Sequence, residues 1–491
     1  MPAGSLGHPS PGETLRICKE TRTVVGILCA LVAFLCASSA GAGGHPLNTA
    51  IEQPDASTSD LRGAYPRIRG AGAKFVRIVL YWNTVQPKPS SYDWTEPDKQ
   101  IKEALAAGLT PLVTVWRAPG WAERSTKGEA GTRDPDPAAF GAFAKQLALR
   151  YRNVHYWEAW NEPNLDHFLS PQTRNGKHYS PKLYRQLLDR FWLGVHSVDP
   201  AAHVAAGGLA RRYRIPPLQF IREVFCLNNK LKKVRSCPVH LDAWSHHPYT
   251  NGGPFTKQGD PDGVSLGDLP KMRKTLRAAA VSGNARPAKR SIPFWVSEFS
   301  WDTDGPDPDA VPMKLHARWV SEALFQAWRS GVSLFVWHQL RDRPFPSTQY
   351  QSGLYYCGMA STSDDANGRC AQDGYYVHDR PKSGSVTSFR FPFVAYAKNG
   401  QVKVWGRTSD SKSHRVTIQR KAGGGWSKVK TLRADSHGIF KAKWHSSDRR
   451  HVYRARIPGG AHSNGFSLRK PHGISLPNTW GCGGTIRCRS S

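Results

Sequence analysis

The sequence has 491 residues, 39% of them hydrophobic, and a formal net charge of +31. This length excludes a single small core and favours one large domain with a smaller one. Residues 380–491 contain 23 Lys or Arg against three Asp, so +20 of the charge lies there. We expect this segment to adhere to polyanions such as anionic cell-envelope polymers or acidic polysaccharide, unless it reflects only a generally basic exported proteome. No nucleic-acid motif accompanies the charge, and nucleic acid is not expected as a partner.

The amino-terminal segment has the order of a secretory signal. Arg16, Lys19 and Arg22 precede the apolar run 24–37, and small residues follow up to Ala42. This order predicts a signal peptide over residues 1–42, which would make the protein secreted or bound to the cell wall. An uncleaved membrane anchor is the alternative, but the run is shorter than the roughly 20 residues that span a bilayer. No later segment is expected to span a membrane.

The segment 46–384 alternates strand-like and helix-like patterns, which is typical of parallel βα units. Eight strands are predicted, at 48–53, 75–82, 111–116, 154–160, 203–208, 241–246, 293–298 and 332–339. Helices are predicted at 97–107, 137–151, 181–198 and 311–330. The pattern predicts an α/β fold, a (β/α)₈ TIM barrel. An open doubly wound sheet is the alternative, but no Gly-rich phosphate loop follows the first strand.

From residue 385 onward the pattern changes to short alternating strands separated by Ser, Gly and Asp turns. They are predicted at 402–406, 415–421, 426–432, 438–444 and 452–457. This predicts a small all-β sandwich of the immunoglobulin or fibronectin kind over residues 385–470, carrying most of the basic charge. Residues 471–491 are predicted to be irregular.

Six of the nine cysteines lie beyond the predicted signal peptide. They lie as near neighbours in sequence, which favours local disulfides in an exported protein: Cys226 with Cys237, Cys357 with Cys370, and Cys482 with Cys488. Sequence alone leaves the connectivity open. A zinc site is the alternative, and it is disfavoured because no Cys-x-x-Cys pair or tight Cys/His cluster occurs.

Two glutamates follow predicted strands of the barrel. Glu162 follows the fourth strand in the run WEAWNEPN, and Glu298 ends the seventh in FWVSEF. The carboxyl ends of barrel strands face one site, so the two carboxylates are expected to converge. Two carboxylates are the minimum for cleaving a glycosidic bond, since one protonates the leaving oxygen and the other attacks or stabilises the sugar cation. Two surface glutamates on unrelated loops are the alternative.

The segment Asn161-Glu162-Pro163 together with Glu298 resembles the clan A glycoside hydrolases, most closely family 39 and family 5-like groups. The resemblance covers roughly residues 46–400. It implies a retaining O-glycosyl hydrolase acting on a poly- or oligosaccharide, with Glu162 as general acid/base and Glu298 as nucleophile. It also implies that Asn161 binds the sugar 2-hydroxyl. No cofactor and no metal are expected, because carboxylate chemistry supplies the whole mechanism.

Three further positions are similar to the same clan. Arg77 lies in the second strand, where an arginine braces the nucleophile, and a buried arginine there needs a carboxylate partner such as Glu298. His247 and Tyr249 lie in a segment that resembles the clan's His-Pro-Tyr. We expect His247 to bond substrate or an active-site carboxylate and Tyr249 to donate to the nucleophile. Metal binding by His246 and His247 is disfavoured, because adjacent strand residues point to opposite faces.

Aromatic residues are the candidates for sugar stacking. Trp337, near the end of the eighth strand, resembles the clan's stacking tryptophan. Further candidates are Trp82, Trp116, Trp121 and Trp301, for which burial in the core is the alternative. The loops 117–136 and 165–180 are expected to shape the cleft.

Two other functions use the same features. A non-catalytic protein that binds polysaccharide or cell wall could retain the barrel, but it would then have lost a catalytic residue or blocked its cleft. A transglycosylase would use both glutamates and differ only in transferring the sugar to another sugar rather than to water.

Overall fold

The computed structural model describes residues 44–52, 61–288, 290–303, 310–343, 350–357 and 379–469. The predicted signal peptide, 1–42, and the predicted irregular tail, 471–491, lie wholly outside these ranges. Within the described ranges, no helix combines the length and the apolar character that a membrane crossing requires.

Eight parallel strands close into a barrel in the order β1-β8-β7-β6-β5-β4-β3-β2. Their bounds are β1 Asn48–Glu52, β2 Phe75–Tyr81, β3 Thr110–Trp116, β4 Tyr156–Ala159, β5 His203–Ala210, β6 Ala243–His247, β7 Phe294–Val296 and β8 Val332–Trp337. The predicted (β/α)₈ fold is confirmed. Each strand ends within two residues of its predicted bounds, because strands buried on both faces appear as near-continuous apolar runs.

Helices connect the strands and cover the barrel. In the described ranges they are α1 Leu61–Gly70, α2 Trp82–Val85, α3 Thr95–Ala106, α4 Pro137–Arg150, α5 Ser180–His196, α6 Pro217–Val224, α7 Leu269–Val281, α8 Met313–Arg329 and α9 Ser383–Arg390. The start of α4 shows how the local sequence fixes where a helix begins. Asp136 accepts from the backbone N–H of Ala138 at 2.7 Å and of Ala139 at 2.9 Å, and Pro137 occupies the first helical position.

The barrel interior consists of an apolar layer and, one step further along each strand, a polar layer. The apolar layer contains Ala50, Phe75, Leu112, Ala205, Ala243, Trp295, Leu334 and Val336, with Tyr156 packed against it. Side chains two residues apart on a strand share a face. The residues two positions further on are Glu52, Arg77, Thr114, Glu158, Gly207, Ser245, Ser297 and His338. The polar layer therefore lies directly beneath the carboxyl ends of the strands, where a barrel holds its site.

The carboxyl-terminal region forms two antiparallel sheets, which confirms the predicted all-β region. A three-stranded sheet has the order β9-β10-β13, and a four-stranded sheet has the order β12-β11-β14-β15. The bounds are β9 Phe393–Lys398, β10 Gln401–Arg407, β11 Arg415–Ala422, β12 Gly425–Arg433, β13 Ile439–His445, β14 Val452–Arg456 and β15 Phe466–Ser467. The predictions did not include β9 and β15.

These sheets pack on the barrel through a buried arginine and an aromatic cluster. Arg407, 1% exposed, donates from Nη1 to the carbonyl of Leu47 at 2.7 Å and from Nη2 to the carbonyl of Phe389 at 3.1 Å. Trp405 packs against Phe325 and Trp328 of α8, with ring centroids 5.4 and 5.5 Å apart. The sheets and the barrel thus share one continuous hydrophobic core.

Cys226 and Cys237 form a disulfide, as predicted. Cys357 also takes part in a disulfide. Its predicted partner, Cys370, and the predicted pair Cys482 and Cys488 lie outside the described residues.

Candidate active site

Arg77 is the centre of the polar layer. The side chain is 1% exposed, and its Nη1 donates to Glu52 Oε2 at 2.5 Å and to Glu298 Oε2 at 3.2 Å. Its Nη2 donates to Asn161 Oδ1 at 2.9 Å and lies 3.1 Å from Glu158 Oε2. An arginine buried in this way needs anionic partners, and one guanidinium here serves three carboxylates. The expected contact between Arg77 and Glu298 is present.

Glu158 is the most enclosed of these carboxylates and is fully buried. Its Oε2 accepts from Thr114 Oγ1 at 2.6 Å, and its Oε1 accepts from Ser245 Oγ and from the backbone N–H of Gly208 at 3.2 Å. Burial by itself raises the pKa of Glu158, but the charge of Arg77 leads the effects that lower it, and the pKa falls below its ordinary value. Glu158 is therefore an ionised structural partner of Arg77.

Glu162 and Glu298 converge on one histidine above this layer. His247 Nδ1 lies 2.9 Å from Glu162 Oε1 and 3.6 Å from Glu298 Oε2. Its other nitrogen, Nε2, lies 3.0 Å from Ser297 Oγ. The distances 2.9 and 3.6 Å sum to 6.5 Å, which is the greatest separation that those two carboxylate oxygens can have. The two glutamates just after β4 and β7 therefore share one site, although they lie 136 positions apart in the sequence.

The pKa values of the two carboxyls are shifted in opposite directions. Burial raises the pKa of Glu162 above its ordinary value, and the charge of Glu298 adds to this, while the His247 hydrogen bond acts in the opposite direction. Burial also acts to raise the pKa of Glu298, but the charges of His247, His338 and Arg77 outweigh it, and the pKa falls. The site thus favours a protonated Glu162 beside an ionised Glu298.

The cation between them is His247. Burial acts to lower its pKa, but the charge of Glu298 and the hydrogen bond and charge of Glu162 outweigh burial, and the pKa rises. A protonated imidazole donates from both nitrogens, which fits Nδ1 facing Glu162 and Nε2 facing Ser297. The neighbouring His246 points away, with Nε2 2.8 Å from the carbonyl of Val264, and burial lowers its pKa to about 3.

Tyr249 and Asn161 complete the surroundings of the two glutamates. The Tyr249 hydroxyl donates to Glu298 Oε1 at 2.7 Å, as expected, and burial raises its pKa well above the ordinary value, so it stays a donor. Asn161 accepts from Arg77 through Oδ1, which turns its amide NH₂ away from that contact. Both residues also line the cavity described below.

The backbone around Glu162 is locally unusual. Glu162 has φ of +38° in the left-handed region, and its N–H donates to the carbonyl of Gly208 at 3.1 Å. A non-glycine residue in this region costs of order 1–3 kcal/mol, and such residues cluster at functional sites. Gly208 itself is needed for space, since a Cβ there would lie 2.1 Å from His247 Nε2.

Glu52, Glu298 and His338 bring three atoms that could bind a metal within 4.8 Å of one another. Both carboxylates already contact Arg77 Nη1 through their Oε2 atoms. His338 Nδ1 lies 3.2 Å from Glu52 Oε2, and its pKa is raised, because Glu52 and Glu298 outweigh the effect of burial. The Arg77 guanidinium and the His338 imidazole therefore already serve as the counter-charges of these two carboxylates.

A cavity of about 950 Å³ opens above Glu162 and Glu298. Its lining includes Trp116 at the end of β3 and residues from both loops that were expected to shape the cleft, among them Glu129, Leu165, His167 and Phe168. The lining also includes Arg211, Arg212, Tyr213, Tyr249 and Tyr350. The cavity is bordered by the two glutamates and by aromatic and charged side chains, which is the form of a ligand site.

The predicted tryptophans fall into two groups. Trp116 lines the cavity, with its ring centroid 4.9 Å from that of Phe168. Trp82 and Trp337 are fully buried, and the structure does not support them as substrate-binding residues. Trp82 donates to Gln86 Oε1 at 2.8 Å, and Trp337 donates to the carbonyl of Ser352 at 2.8 Å, so both serve the core.

The two weaker aromatic candidates also lie away from the cavity lining. Trp301 is 1% exposed and donates to the carbonyl of Gly252 at 2.9 Å. Trp121 is 37% exposed, and its ring packs edge-on against Trp82.

Sequence reasoning missed the structural carboxylates and most of the hydroxyls of the polar layer. Glu52, Glu158, Thr114, Ser245 and Ser297 were not predicted as site residues. Their positions in the sequence could have predicted them, because each lies two residues after an inward-facing residue of the apolar layer.

No protein-family model matches the chain, and no curated protein matches it either. Solved structures are similar. A family 39 glycoside hydrolase from the gut symbiont Bacteroides cellulosilyticus WH2 is 15% identical over 81% of this chain and 81% of that one, with a TM-score of 0.52. The GH39 enzyme from Xanthomonas axonopodis pv. citri is 15% identical over 82% of this chain and 93% of that one, with a TM-score of 0.49. A GH30 endoxylanase from Clostridium papyrosolvens C71 is 9% identical over 82% of this chain and 96% of that one, with a TM-score of 0.44.

At these identities the likeness is one of fold. The likeness to the Bacteroides structure extends over 81% of both chains, and this chain itself consists of an eight-stranded parallel barrel followed by antiparallel sheets. The chain therefore shares the fold of that family 39 structure.

Proposed function

We propose that this protein is an exported, retaining glycoside hydrolase that cleaves O-glycosidic bonds of a poly- or oligosaccharide. Glu162 is the general acid/base and Glu298 the nucleophile. One observation carries the proposal: two carboxyls on the ends of β4 and β7 contact the same His247 nitrogen, yet their pKa values are displaced in opposite directions. A protonated and an ionised carboxyl in one cavity are what glycoside cleavage requires.

The reaction has two steps. In the first, the Glu298 carboxylate attacks the anomeric carbon while Glu162 gives its proton to the departing oxygen, which forms a glycosyl ester and releases an alcohol. In the second, Glu162, now a carboxylate, takes a proton from water as that water attacks the anomeric carbon. The ester bond breaks, the sugar leaves with a new hydroxyl, and both carboxyls return to their starting states.

Geometry supports retention rather than inversion. Retaining enzymes hold their carboxyl groups about 5–5.5 Å apart, whereas inverting enzymes leave about 6.5–9.5 Å for a water molecule. The upper limit of 6.5 Å between Glu162 Oε1 and Glu298 Oε2, set by their contacts of 2.9 and 3.6 Å with His247, lies at the bottom of the inverting range.

The neighbouring residues would position the reacting groups. Tyr249 and Arg77 each hold one oxygen of Glu298 and fix the orientation of the nucleophile. Arg77 holds Asn161 by its oxygen, so the Asn161 amide hydrogens are available for a sugar hydroxyl. Trp116 offers an aromatic wall to a pyranose ring.

The complete charge network favours an enzyme over a non-catalytic binding protein on the same barrel. A protein that had lost catalysis would have no need to bury Arg77 among three carboxylates or to raise the pKa of Glu162 next to Glu298. Transglycosylation uses the same groups, with a second sugar in place of water. Export is supported by the signal-like residues 1–42 and by the disulfide between Cys226 and Cys237.

The test compares Glu162→Gln, Glu298→Gln and the control Glu96→Gln on a panel of polysaccharides and aryl glycosides. Glu96 is exposed near the start of α3, so its variant should keep wild-type activity. On a substrate with a poor leaving group, we expect each site variant to lose about 10²–10⁴-fold or more in kcat. On a dinitrophenyl glycoside, whose leaving group needs no proton, glycosylation by Glu162→Gln should recover while Glu298→Gln stays inactive.

Two results would contradict the proposal. One is an activity that survives both substitutions. The other is a loss in Glu162→Gln that is equally large for good and poor leaving groups, because Glu162 would then not be the proton donor.

A further inference from the structure

The carboxyl-terminal strands carry an unbalanced charge. The seven strands β9–β15 contain 13 Lys or Arg residues and no Asp or Glu. The aspartates of the described residues 380–469 are all engaged elsewhere. Asp410 bonds His414 at 2.8 Å, Asp435 accepts from the N–H of Ile439 at 2.9 Å, and Asp448 accepts from the Tyr453 hydroxyl at 2.5 Å.

The outer face of the four-stranded sheet gathers many of these cations. Its opposite face is buried through Val416, Ile418 and Ala455. Residues on the other face follow from the register, in which paired residues project to the same side. We call this set the cation platform: Arg415, Lys421, Lys428, Arg433, Arg454 and Arg456.

On the platform, cationic side chains lie next to other cationic side chains and not next to acidic ones. Arg415 of β11 pairs directly with Arg433 of β12, and both side chains are exposed. Arg454 and Arg456 project from the same side of β14, and the charge of Arg456 adds to burial in lowering the pKa of Arg454. Like charges directly opposite one another destabilise a sheet. Their presence on one face therefore points to a role other than stabilising the sheet.

The three-stranded sheet also contains one pair of cations that lie directly opposite each other on neighbouring strands. Lys403 of β10 pairs directly with Lys443 of β13, and both are exposed. There, however, part of the same face packs on the barrel through Trp405. The four-stranded sheet therefore offers the larger free surface.

Polar side chains stand between the cations of the platform. Thr417 pairs with Thr431 on one side and with Arg456 on the other. Gln419 Oε1 accepts from Arg454 Nε at 2.9 Å. Hydroxyl and amide groups beside guanidinium groups can bond sugar hydroxyls and anionic substituents together, and guanidinium matches carboxylate or sulfate with two parallel hydrogen bonds.

We propose that the cation platform binds an acidic polysaccharide through the carboxylate or sulfate groups of its sugars. The surface chemistry favours this ligand over two other polyanions. Single-stranded nucleic acid is bound on rows of aromatic rings, whereas the one aromatic ring on this face, Trp426, is covered by Arg454 at 4.2 Å. A membrane surface would call for apolar side chains to insert, and Val429, 37% exposed, is the one large exposed apolar residue of these four strands.

The proposal does not depend on the hydrolase assignment, since none of the platform residues lines the active-site cavity. It assigns the polyanion attraction of the basic segment to one face of one sheet. A mere excess of positive charge, in contrast, would attract polyanions wherever exposed cations occur.

The test measures affinity in the full-length chain, for dextran sulfate, polygalacturonate and neutral dextran. All proteins carry Glu298→Gln so that no probe is cleaved. The platform variant adds Arg415→Gln, Arg433→Gln and Arg456→Gln. The matched control adds Lys99→Gln, Lys102→Gln and Arg152→Gln, which remove three exposed cations from the barrel. Both variants change the net charge equally.

We expect the platform variant to bind dextran sulfate or polygalacturonate at least tenfold more weakly, and the control to lose less than twofold. The preferred probe then identifies sulfate or carboxylate as the recognised group. Equal losses in both variants would overturn the proposal, as would equal binding of neutral dextran. A single-stranded oligonucleotide or a phosphatidylserine vesicle that binds more tightly and loses more in the platform variant would reassign the face. If the triple variant does not fold, Arg433→Gln alone, at the end of an edge strand, replaces it.

Discussion

Arg77 in the barrel and Arg415 in the carboxyl-terminal sheet are both arginines, but they differ in burial and in the charge of their neighbours. Arg77 is buried and contacts Glu52, Glu158 and Glu298. Arg415 is exposed and lies directly opposite Arg433. In the low dielectric of the barrel an unpaired charge costs several kcal/mol, whereas at the surface water and salt weaken both attraction and repulsion.

This difference in charge compensation determines which kind of function each region can carry. In the barrel, every charge must be compensated by another, so moving one group changes the pKa of its neighbours. At the surface of the sheet, cations can remain uncompensated until a ligand arrives. The barrel therefore suits proton transfer, and the cation platform suits reversible binding of a polyanion.

The largest expected effect comes from removing the buried cation. Arg77→Gln leaves Glu52 and Glu158 buried without their main counter-charge, and we expect the free energy of unfolding at pH 7 to fall by about 3–5 kcal/mol. Urea denaturation measures it. Arg77 contributes to lowering the pKa values of these carboxyls, so its stabilisation is present above their ordinary value of 4.5 and is lost as the pH falls through the depressed values. The difference between variant and wild type should therefore shrink in acid.

Arg415→Gln is the matched control, since it makes the same replacement at the surface. We expect its free energy of unfolding to stay within about 0.5 kcal/mol of wild type. A loss as large as that of Arg77→Gln would show that Arg415 has a structural partner, and the contrast between the two regions would be wrong.

A smaller effect is expected from His247→Gln on the pH dependence of kcat/KM. In the wild type, activity should fall at low pH as Glu298 is protonated and at high pH as Glu162 loses its proton. His247 lowers the pKa of both carboxyls. Its removal should therefore move both limbs of the profile to higher pH. Initial rates from pH 3 to 9 on one soluble substrate measure this.

His155→Gln serves as the control for that profile, because His155 is exposed and pairs with Asp199 far from the cavity lining. Its profile should coincide with that of the wild type. If His247→Gln lowers the rate without moving either limb, His247 only supports the packing of the site and does not tune the two carboxyls.

The barrel could be predicted from the sequence because its strands leave a strong pattern. Buried parallel strands are continuous apolar runs, and Glu162 and Glu298 lie within three residues of the ends of two of them. The contact of Glu298 with Arg77 was predicted because a buried arginine needs a carboxylate partner, and the contact with Tyr249 was implied by the resemblance of its segment to the clan's His-Pro-Tyr.

The site residues that were not predicted depend on the direction in which each side chain projects from its strand. Glu52 and Glu158 look like interruptions of apolar strands, and only the inward direction of the preceding Ala50 and Tyr156 reveals their layer. Trp337 was misassigned for a related reason. A tryptophan at a strand end lines a cavity or enters the core according to the loops packed on it, and here Trp337 is fully buried and bonds the carbonyl of Ser352.

The most direct test of the central claim is to trap the covalent intermediate. An activated 2-deoxy-2-fluoro glycoside of the sugar that the panel identifies should inactivate the enzyme, with peptide mass spectrometry locating the sugar. We predict one sugar per chain, esterified to Glu298, and no labelling of Glu298→Gln. An adduct on another carboxylate, or turnover with inversion at the anomeric carbon and no adduct, would contradict the assignment.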